Sequence, residues 1–480
     1  MIELMVTAMA SGSGKTMLSC GLLKVLQERG YHPCAFKCGP DYIDPMYHRA
    51  VKGIQGHNLD LFLMREDEAA LRAHYGKYLT GHDAAVTEGV MGFYDGLGGV
   101  SERASSYAVA RALGIPALLM ISPQKNSLSL AAQVRGMLDF RPDSNIRALL
   151  FNNCTESTCR MLKDVMERET GLPVLGFIPP MREAALESRH LGLLTAGEIA
   201  DLADRLDKVA EQIEKNVDIE KLCKLFTTTD KKEAPSQGKA EAPLSPPGTS
   251  LSPSGASLSP REAPVRIAVA KDEVFYFLYE ESLDLLRALG AEPVFFSPLH
   301  DYALPCGCGG LVLPGGYPEL FAAELSGNLS MKASVREALA AGMPCIAECG
   351  GMMYLQEEME GAGGQRYPMA AFLPGTAVKK ERPVRFGYSY LTAEVDNLLF
   401  RKGESIPVHE FHYYDTDNNG SALCSVKPLT DKSWDCCFAN GQLYAGFPHL
   451  YLPGSPALAH RFTETAGRWA KDHKLQEAGK

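Results

Sequence analysis

Two short segments of the sequence carry residue types suited to two different reactions. The first, Ala10-Ser11-Gly12-Ser13-Gly14-Lys15-Thr16, follows an apolar run at residues 2–7 and precedes an amphipathic stretch, 17–29, that predicts a helix. Strand, glycine-rich loop and helix in that order make a phosphate cradle. Gly12 and Gly14 let the backbone bend so that several N–H groups converge on phosphate oxygens, and the helix adds the positive end of its dipole. Lys15 is then expected to reach the terminal phosphates of a nucleotide, and Thr16 to hold Mg²⁺ through its hydroxyl. Met9 stands where the usual motif has its first Gly.

The same half of the chain offers acids at the expected carboxyl ends of strands, where open α/β sheets place their ligands. Asp41 and Asp44 lie in Lys37-Cys38-Gly39-Pro40-Asp41-Tyr42-Ile43-Asp44-Pro45, a loop suited to a metal or a phosphate-bound water. Glu88 ends an expected strand at 84–87, the position of an acid facing Mg²⁺, and Asp95 lies just beyond it. The expected metal set is Thr16, Asp41 and Glu88.

The second segment is Pro344-Cys345-Ile346-Ala347-Glu348-Cys349-Gly350-Gly351, running from an apolar strand into a helix. A nucleophile on a tight strand-to-helix turn needs small neighbours, and Ala347 and Gly351 flank Cys349 two positions away on each side. The helix start favours the thiolate. Backbone N–H groups of Gly350 and of the Gly315-Gly316 loop, Gly316 above all, are expected to form an oxyanion hole. His449 is the expected base. His409 and His412 compete with it; their spacing suits metal binding, but no third ligand is evident, and structural or substrate-contact roles are expected ahead of catalysis.

Positioning two such sites takes two parallel sheets. Apolar strands alternate with helical patterns, with strands expected at 2–7, 33–36, 84–87, 117–121, 146–151 and 174–178, then at 265–269, 293–296, 310–313 and 345–347. Between them, residues 230–264 are rich in Pro, Ser, Gly, Lys and Glu and repeat Leu-Ser-Pro at Leu244, Leu251 and Leu258. Such a segment buries too little apolar surface to offset its ordering entropy and reads as a flexible linker. The expected layout is therefore a first domain at 1–229, the linker at 230–264, a second domain at 265–467 and a tail at 468–480. At 480 residues, two domains also suit the length.

Composition narrows the setting. A formal charge of −10 disfavours nucleic acid and anionic membranes as partners. No run nears the roughly 20 apolar residues of a membrane span, and the N-terminus lacks the features of a signal peptide, so a cytoplasmic location is expected. The 13 cysteines show no paired metal spacing. Cys34, Cys38, Cys306 and Cys308 come nearest and read as ordinary reduced thiols.

Taken together, these motifs resemble the cobyrinic acid a,c-diamide synthase family, in which a dethiobiotin-synthetase-like ATP domain precedes a class I glutamine amidotransferase domain. The resemblance also rests on Asn58-Leu59-Asp60, Glu88-Gly89-Val90-Met91-Gly92, Arg189-His190-Leu191-Gly192-Leu193, Gly315-Gly316-Tyr317-Pro318-Glu319 and His409-Glu410-Phe411-His412. It implies an α/β chain with an N-terminal P-loop-type parallel-sheet domain and a C-terminal flavodoxin-like amidotransferase domain. It further implies a ligase that uses ATP, glutamine and Mg²⁺ to amidate the a and c acetates of a corrinoid through acyl phosphates. Tyr42, Ile43, Asp44 and Asp95 would lie toward the macrocycle, and Asn152 toward the adenine. A monomer or homodimer is expected. Ni-sirohydrochlorin is the nearest alternative substrate. A partitioning-type nucleotide switch with a degenerate amidotransferase domain is the alternative of another class. One departure stands out: many class I amidotransferases carry Glu two residues after the catalytic His, where this chain has Tyr451.

Overall fold

The structure, a computed structural model, describes residues 1–124, 126–182, 196–228 and 264–478. The expected linker, apart from residue 264, and the Arg189-His190-Leu191-Gly192-Leu193 motif lie outside the described residues.

The first half is built on seven strands: β1 (Ile2–Ala8), β2 (Pro33–Cys38), β3 (Gly56–Leu59), β4 (Ala84–Glu88), β5 (Ala117–Ile121), β6 (Ile146–Phe151) and β7 (Val174–Phe177). They lie in the order β3-β2-β4-β1-β5-β6-β7, and every neighbouring pair is parallel. The near-continuous apolar character of β1, β4 and β5 follows, because helices cover both faces of a parallel sheet. Helix α1 (Lys15–Glu28) crosses behind β1 and buries Leu18, Leu22 and Leu26. Its Gly21 faces Val209 and Ile213 of the helix Leu202–Asn216 so closely that any Cβ would collide with them.

The second half carries a six-stranded sheet. Ala291–Phe296, Val265–Ala270, Gly310–Leu313, Cys345–Glu348 and Leu443–Gly446 run parallel, and Phe438–Ala439 closes one edge antiparallel. Two four-stranded sheets are inserted between Glu358 and Cys436. One of them pairs Arg385–Ala393 with Ser405–His412 in an antiparallel ladder that borders the site described below. The last helix, Pro456–Ala478, runs unbroken across the expected domain end at 467. Trp469 packs against the core and donates to the Ala341 carbonyl, so residues expected as a tail extend a core helix.

The halves dock directly. The Asn58 N–H donates to buried Glu281 at 2.7 Å, and Arg65 donates to the Gly454 carbonyl at 3.1 Å. Tyr451, two residues after His449, turns its hydroxyl into the first half, 3.0 Å from His74 Nε2 and 3.4 Å from the Asn58 carbonyl. None of the described helices is long and apolar enough to cross a membrane.

Candidate active site

At the carboxyl end of β1 the chain enters the glycine loop, with Gly12 at φ 70° and Gly14 at φ 89°. That left-handed geometry is cheap for glycine and strained for other residues. The Ser13 hydroxyl donates to the Ala10 carbonyl at 2.8 Å, tightening the loop. Lys15 begins α1 and donates from Nζ to the Ala10 and Met91 carbonyls at 3.1 and 2.7 Å. Asn152 follows β6 and donates to the Ser13 carbonyl at 2.8 Å. In this structure it braces the loop itself.

Thr16 donates to Glu88 Oε1 at 2.8 Å and lies 3.4 Å from Asp44 Oδ1. Glu88 is almost wholly buried at the end of β4, beside the β2 residue Lys37. Lys37 Nζ pairs with Glu88 at 2.9 Å and also with Asp44, while His48 Nε2 lies 2.8 Å from the other Glu88 oxygen. Burial alone would raise Glu88, but Lys37 and His48 hold its carboxyl well below the usual range. Burial alone would lower Lys37, but Asp44 and Glu88 keep the ammonium charged. Asp44, by contrast, is pushed up by burial and by the nearby Asp41 and Glu88 charges. Burial and the Lys37 charge lower Lys15 to about 8.

Thr16, Glu88 and Asp44 thus present a convergent set of hard oxygen donors that fits Mg²⁺. Asp44, rather than the expected Asp41, stands beside Thr16. Asp41 Oδ1 instead accepts the N–H groups of Ile43 and Asp44 at 2.8 and 3.0 Å, shaping the loop. Asp95 likewise braces its own turn, accepting the Gly92 N–H at 3.0 Å. Lys37 is the residue that sequence reading missed as chemistry. Its place on an apolar strand, one residue before the quoted loop motif's Cys38, was the available signal.

The thiol site forms where Cys345–Glu348 ends. Cys349 adopts φ 47°, ψ −106°, an unfavourable backbone for a residue with a side chain, and starts the helix Gly350–Leu355. Its N–H donates to the Gly446 carbonyl at 2.7 Å, pinning the turn. Small residues are obligatory around it. A Cβ on Gly351 would collide with the Leu313 carbonyl, one on Gly350 with Pro318, and one on Gly315 with the His449 ring. The Gly316 nitrogen lies 3.3 Å from where a Gly350 Cβ would be, so the two expected oxyanion donors are neighbours.

His449 is buried, with the Cys349 side chain beside its ring. Its Nδ1 lies 3.4 Å from Glu348 Oε2, and Glu348 Oε1 accepts the Leu450 N–H at 3.1 Å. Burial alone would depress the imidazole, yet the bonds to Cys349 and Glu348 outweigh it and raise it to about 10. The imidazole of His449 is thereby held as a cation beside the Cys349 thiol. His409 bonds to His449 through the backbone, its carbonyl accepting the His449 N–H at 2.9 Å, and burial together with the neighbouring His449 charge lowers its ring to about 3. His412 stacks on Phe447 with centroids 4.0 Å apart and bonds to the Tyr414 carbonyl at 2.6 Å, a structural role.

Between the two sites lies a cavity of about 470 Å³ walled by both halves of the chain. Its lining is largely apolar and includes the aromatic side chains of Tyr42, Phe277, Phe386, Tyr388 and Phe411, with Lys427 and His449 among its polar residues. Asp41, Ile43, Val90 and Met91 line this cavity and also the pocket around the glycine loop. Tyr42 stacks on Phe277 at 4.9 Å and sits 5.3 Å from the His449 ring, so the loop after β2 touches both sites.

Comparisons with known proteins agree with this division. Residues 4–193 match the family described as CobQ/CobB/MinD/ParA nucleotide binding domain, and residues 266–456 the CobB/CobQ-like glutamine amidotransferase domain. The chain is 37% identical over 452 residues to the cobyrinate a,c-diamide synthase of Caldanaerobacter subterraneus subsp. tengcongensis, covering 93% of this chain and 94% of the relative. It is 36% identical over 463 residues to the Salmonella typhimurium protein of the same name, covering 95% and 96%. Identity of this extent, across both domains and the cavity they share, shows that the chain belongs to the cobyrinate a,c-diamide synthase family, ligases that form C–N bonds with glutamine as amido donor.

Proposed function

We propose that this enzyme amidates the a and c acetate carboxylates of cobyrinic acid, using ATP to activate each carboxylate and glutamine to supply each nitrogen. The observation that carries the reading is the shared cavity: aromatic side chains suited to a macrocycle, His449 in its wall, and Asp41, Ile43, Val90 and Met91 in common with the glycine-loop pocket that holds Lys15 and Lys37.

At the thiol end, Cys349 attacks the glutamine amide and forms a glutamyl thioester, the oxyanion being met by the N–H groups of Gly350 and Gly316. His449 gives its proton to the departing ammonia and then takes one from the water that releases glutamate. At the other end, Lys15 and Lys37 gather around the transferring γ-phosphoryl group and offset its charge as a substrate carboxylate attacks. Mg²⁺ held by Thr16, Glu88 and Asp44 would supply further charge neutralisation there. That attack releases ADP and forms an acyl phosphate, from which ammonia displaces inorganic phosphate to give the amide. The loop at Asp41–Ile43 lies between the two events, and its Tyr42 lines the cavity in which the macrocycle would sit.

The test is direct. Purified protein is incubated with ATP and glutamine and with either cobyrinate or Ni-sirohydrochlorin, and the products are weighed by mass spectrometry. Conversion of two carboxylates to amides on cobyrinate is expected. Preferred conversion of the nickel macrocycle would redirect the substrate assignment, and no change in either would overturn the reading.

A further inference from the structure

Class I amidotransferases usually orient the catalytic imidazole with a carboxylate two residues downstream, and here that position is occupied by Tyr451. Its side chain is committed elsewhere, buried and hydrogen-bonded toward His74 and Asn58 of the first half. A tyrosine there serves docking and leaves His449 Nδ1 without its customary acid.

We propose that Glu348, the residue immediately before the nucleophile, is the positioning residue that orients His449 and holds its imidazolium during glutamine hydrolysis. Glu348 Oε2 is 3.4 Å from His449 Nδ1, leaving Nε2 free to serve Cys349. Active-site hydrogen bonds are often this long before substrate tightens them. The second oxygen, accepting the Leu450 N–H at 3.1 Å, locks the carboxylate against the His449 backbone, so side chain and loop move as a unit.

The fold explains how the acid reaches its place. The strands Cys345–Glu348 and Leu443–Gly446 pair in parallel with Glu348 opposite Gly446, and the chain turns back over three residues to His449. A side chain at the last position of the nucleophile's strand therefore meets the imidazole, while Cys349, one residue later on its strained turn, approaches it from another direction. The pair is also shielded, with the Glu348 side chain 12% and the His449 side chain 4% exposed. In such surroundings a carboxylate–imidazolium contact is worth far more than on a surface.

The groups facing His449 from the packed elements are Cys349 and Glu348 on the central sheet, Tyr42 from the first half, and His409 across the backbone bridge. Among these only Glu348 is a carboxylate. Its removal has a predictable sign: the imidazolium becomes easier to deprotonate, and the alkaline limb of glutamine hydrolysis moves to lower pH.

The inference rests on glutamine being the nitrogen donor, and the experiment separates the two. Full-length Glu348→Gln keeps the size and the acceptor for Leu450 but not the charge. Glutamine hydrolysis and ammonium-driven amidation are measured between pH 6 and 10. The expected result is a kcat for glutamine hydrolysis at least about tenfold lower, with KM for glutamine nearly unchanged. The alkaline limb should fall by about one pH unit, and ammonium-driven amidation should persist, showing that the protein is folded. Glu348→Asp, which restores the charge, should return the limb close to its wild-type position. An unmoved limb in Glu348→Gln, or an Asp variant whose limb falls as far as that of Gln, overturns the role. A wild-type protein that makes no glutamine-derived amide overturns the functional reading instead.

Discussion

The Tyr388 hydroxyl donates to Asp60 Oδ2 at 2.6 Å, bonding the antiparallel ladder of the second half to the loop that follows β3 in the first. Burial pushes Asp60 up to about 6, despite this bond and the Leu63 N–H, which favour the charged form. An unfolded Asp titrates near ~3.9, so the native state binds more protons across that interval and stability falls as pH rises through it. Tyr388→Phe removes a donor to the ionised carboxylate. Its cost is expected to be about 1.5–3 kcal/mol at pH 8, where Asp60 is charged, and smaller at pH 5. Thermal unfolding of both proteins at the two pH values checks this, and an equal loss at both would show that the bond does not favour the charge.

Lys37 sits between two buried carboxylates, so removing its ammonium should be felt in both stability and chemistry. Lys37→Met keeps the bulk of the side chain and removes the ammonium that bridges Glu88 and Asp44. Breaking a buried pair from one side typically costs about 3–5 kcal/mol. Amidation should be lost with glutamine and with ammonium alike, because carboxylate activation fails, while glutamine hydrolysis continues at the other site. Amidation at the wild-type rate would remove Lys37 from phosphoryl transfer.

Much of this was legible in the residues, and the misses share a cause. The glycine loop and the Cys349 turn announce themselves because their chemistry needs local geometry: small residues at fixed offsets between a strand and a helix. Six of the seven strands of the first sheet read directly as apolar runs. Strand β3, Gly56–Leu59, did not, since Gly-His-Asn-Leu has no apolar pattern and is held by pairing with β2. The two antiparallel sheets escaped notice for a similar reason: their strands are half exposed and set by partners far along the chain. Glu348 and Lys37 were hidden differently. Each lies within or beside a recognised motif, but its role depends on a residue brought in from another strand, His449 in one case and Glu88 in the other. The choice of Asp44 over Asp41 beside Thr16 depends on how a short loop folds, which spacing alone does not decide.

Lys15 offers a pH signature of nucleotide binding. Burial and the neighbouring Lys37 bring its ammonium down to about 8, so the free enzyme holds the charge below that pH and loses it above. Phosphate contact needs the charged form. The kcat/KM for ATP is therefore expected to fall as pH rises through about 8, approaching tenfold per unit beyond it, because that ratio reports the free enzyme. Lys15→Arg, whose guanidinium does not titrate in this range, should lose activity through altered reach but show no such limb. A flat profile in the wild type would mean that Lys15 stays charged throughout.

The division of labour between the halves is open to one substitution. Cys349 holds φ 47° in a turn whose neighbours tolerate no extra atoms, and serine fits that space with an oxygen in place of sulfur. The hydroxyl is a far weaker nucleophile at neutral pH, because an alcohol holds its proton much more tightly than a thiol does. Cys349→Ser should therefore reduce glutamine-driven amidation by roughly a thousandfold or more, the scale seen when an activated nucleophile is removed. The glycine loop, Lys37 and the aromatic cavity are untouched, so ammonium chloride at alkaline pH should still be incorporated at close to the wild-type rate. The measurement is the ratio of the two rates on one substrate preparation. If both fall together, the thiol supports the fold or the docking of the halves, and nitrogen delivery must be sought elsewhere in the chain.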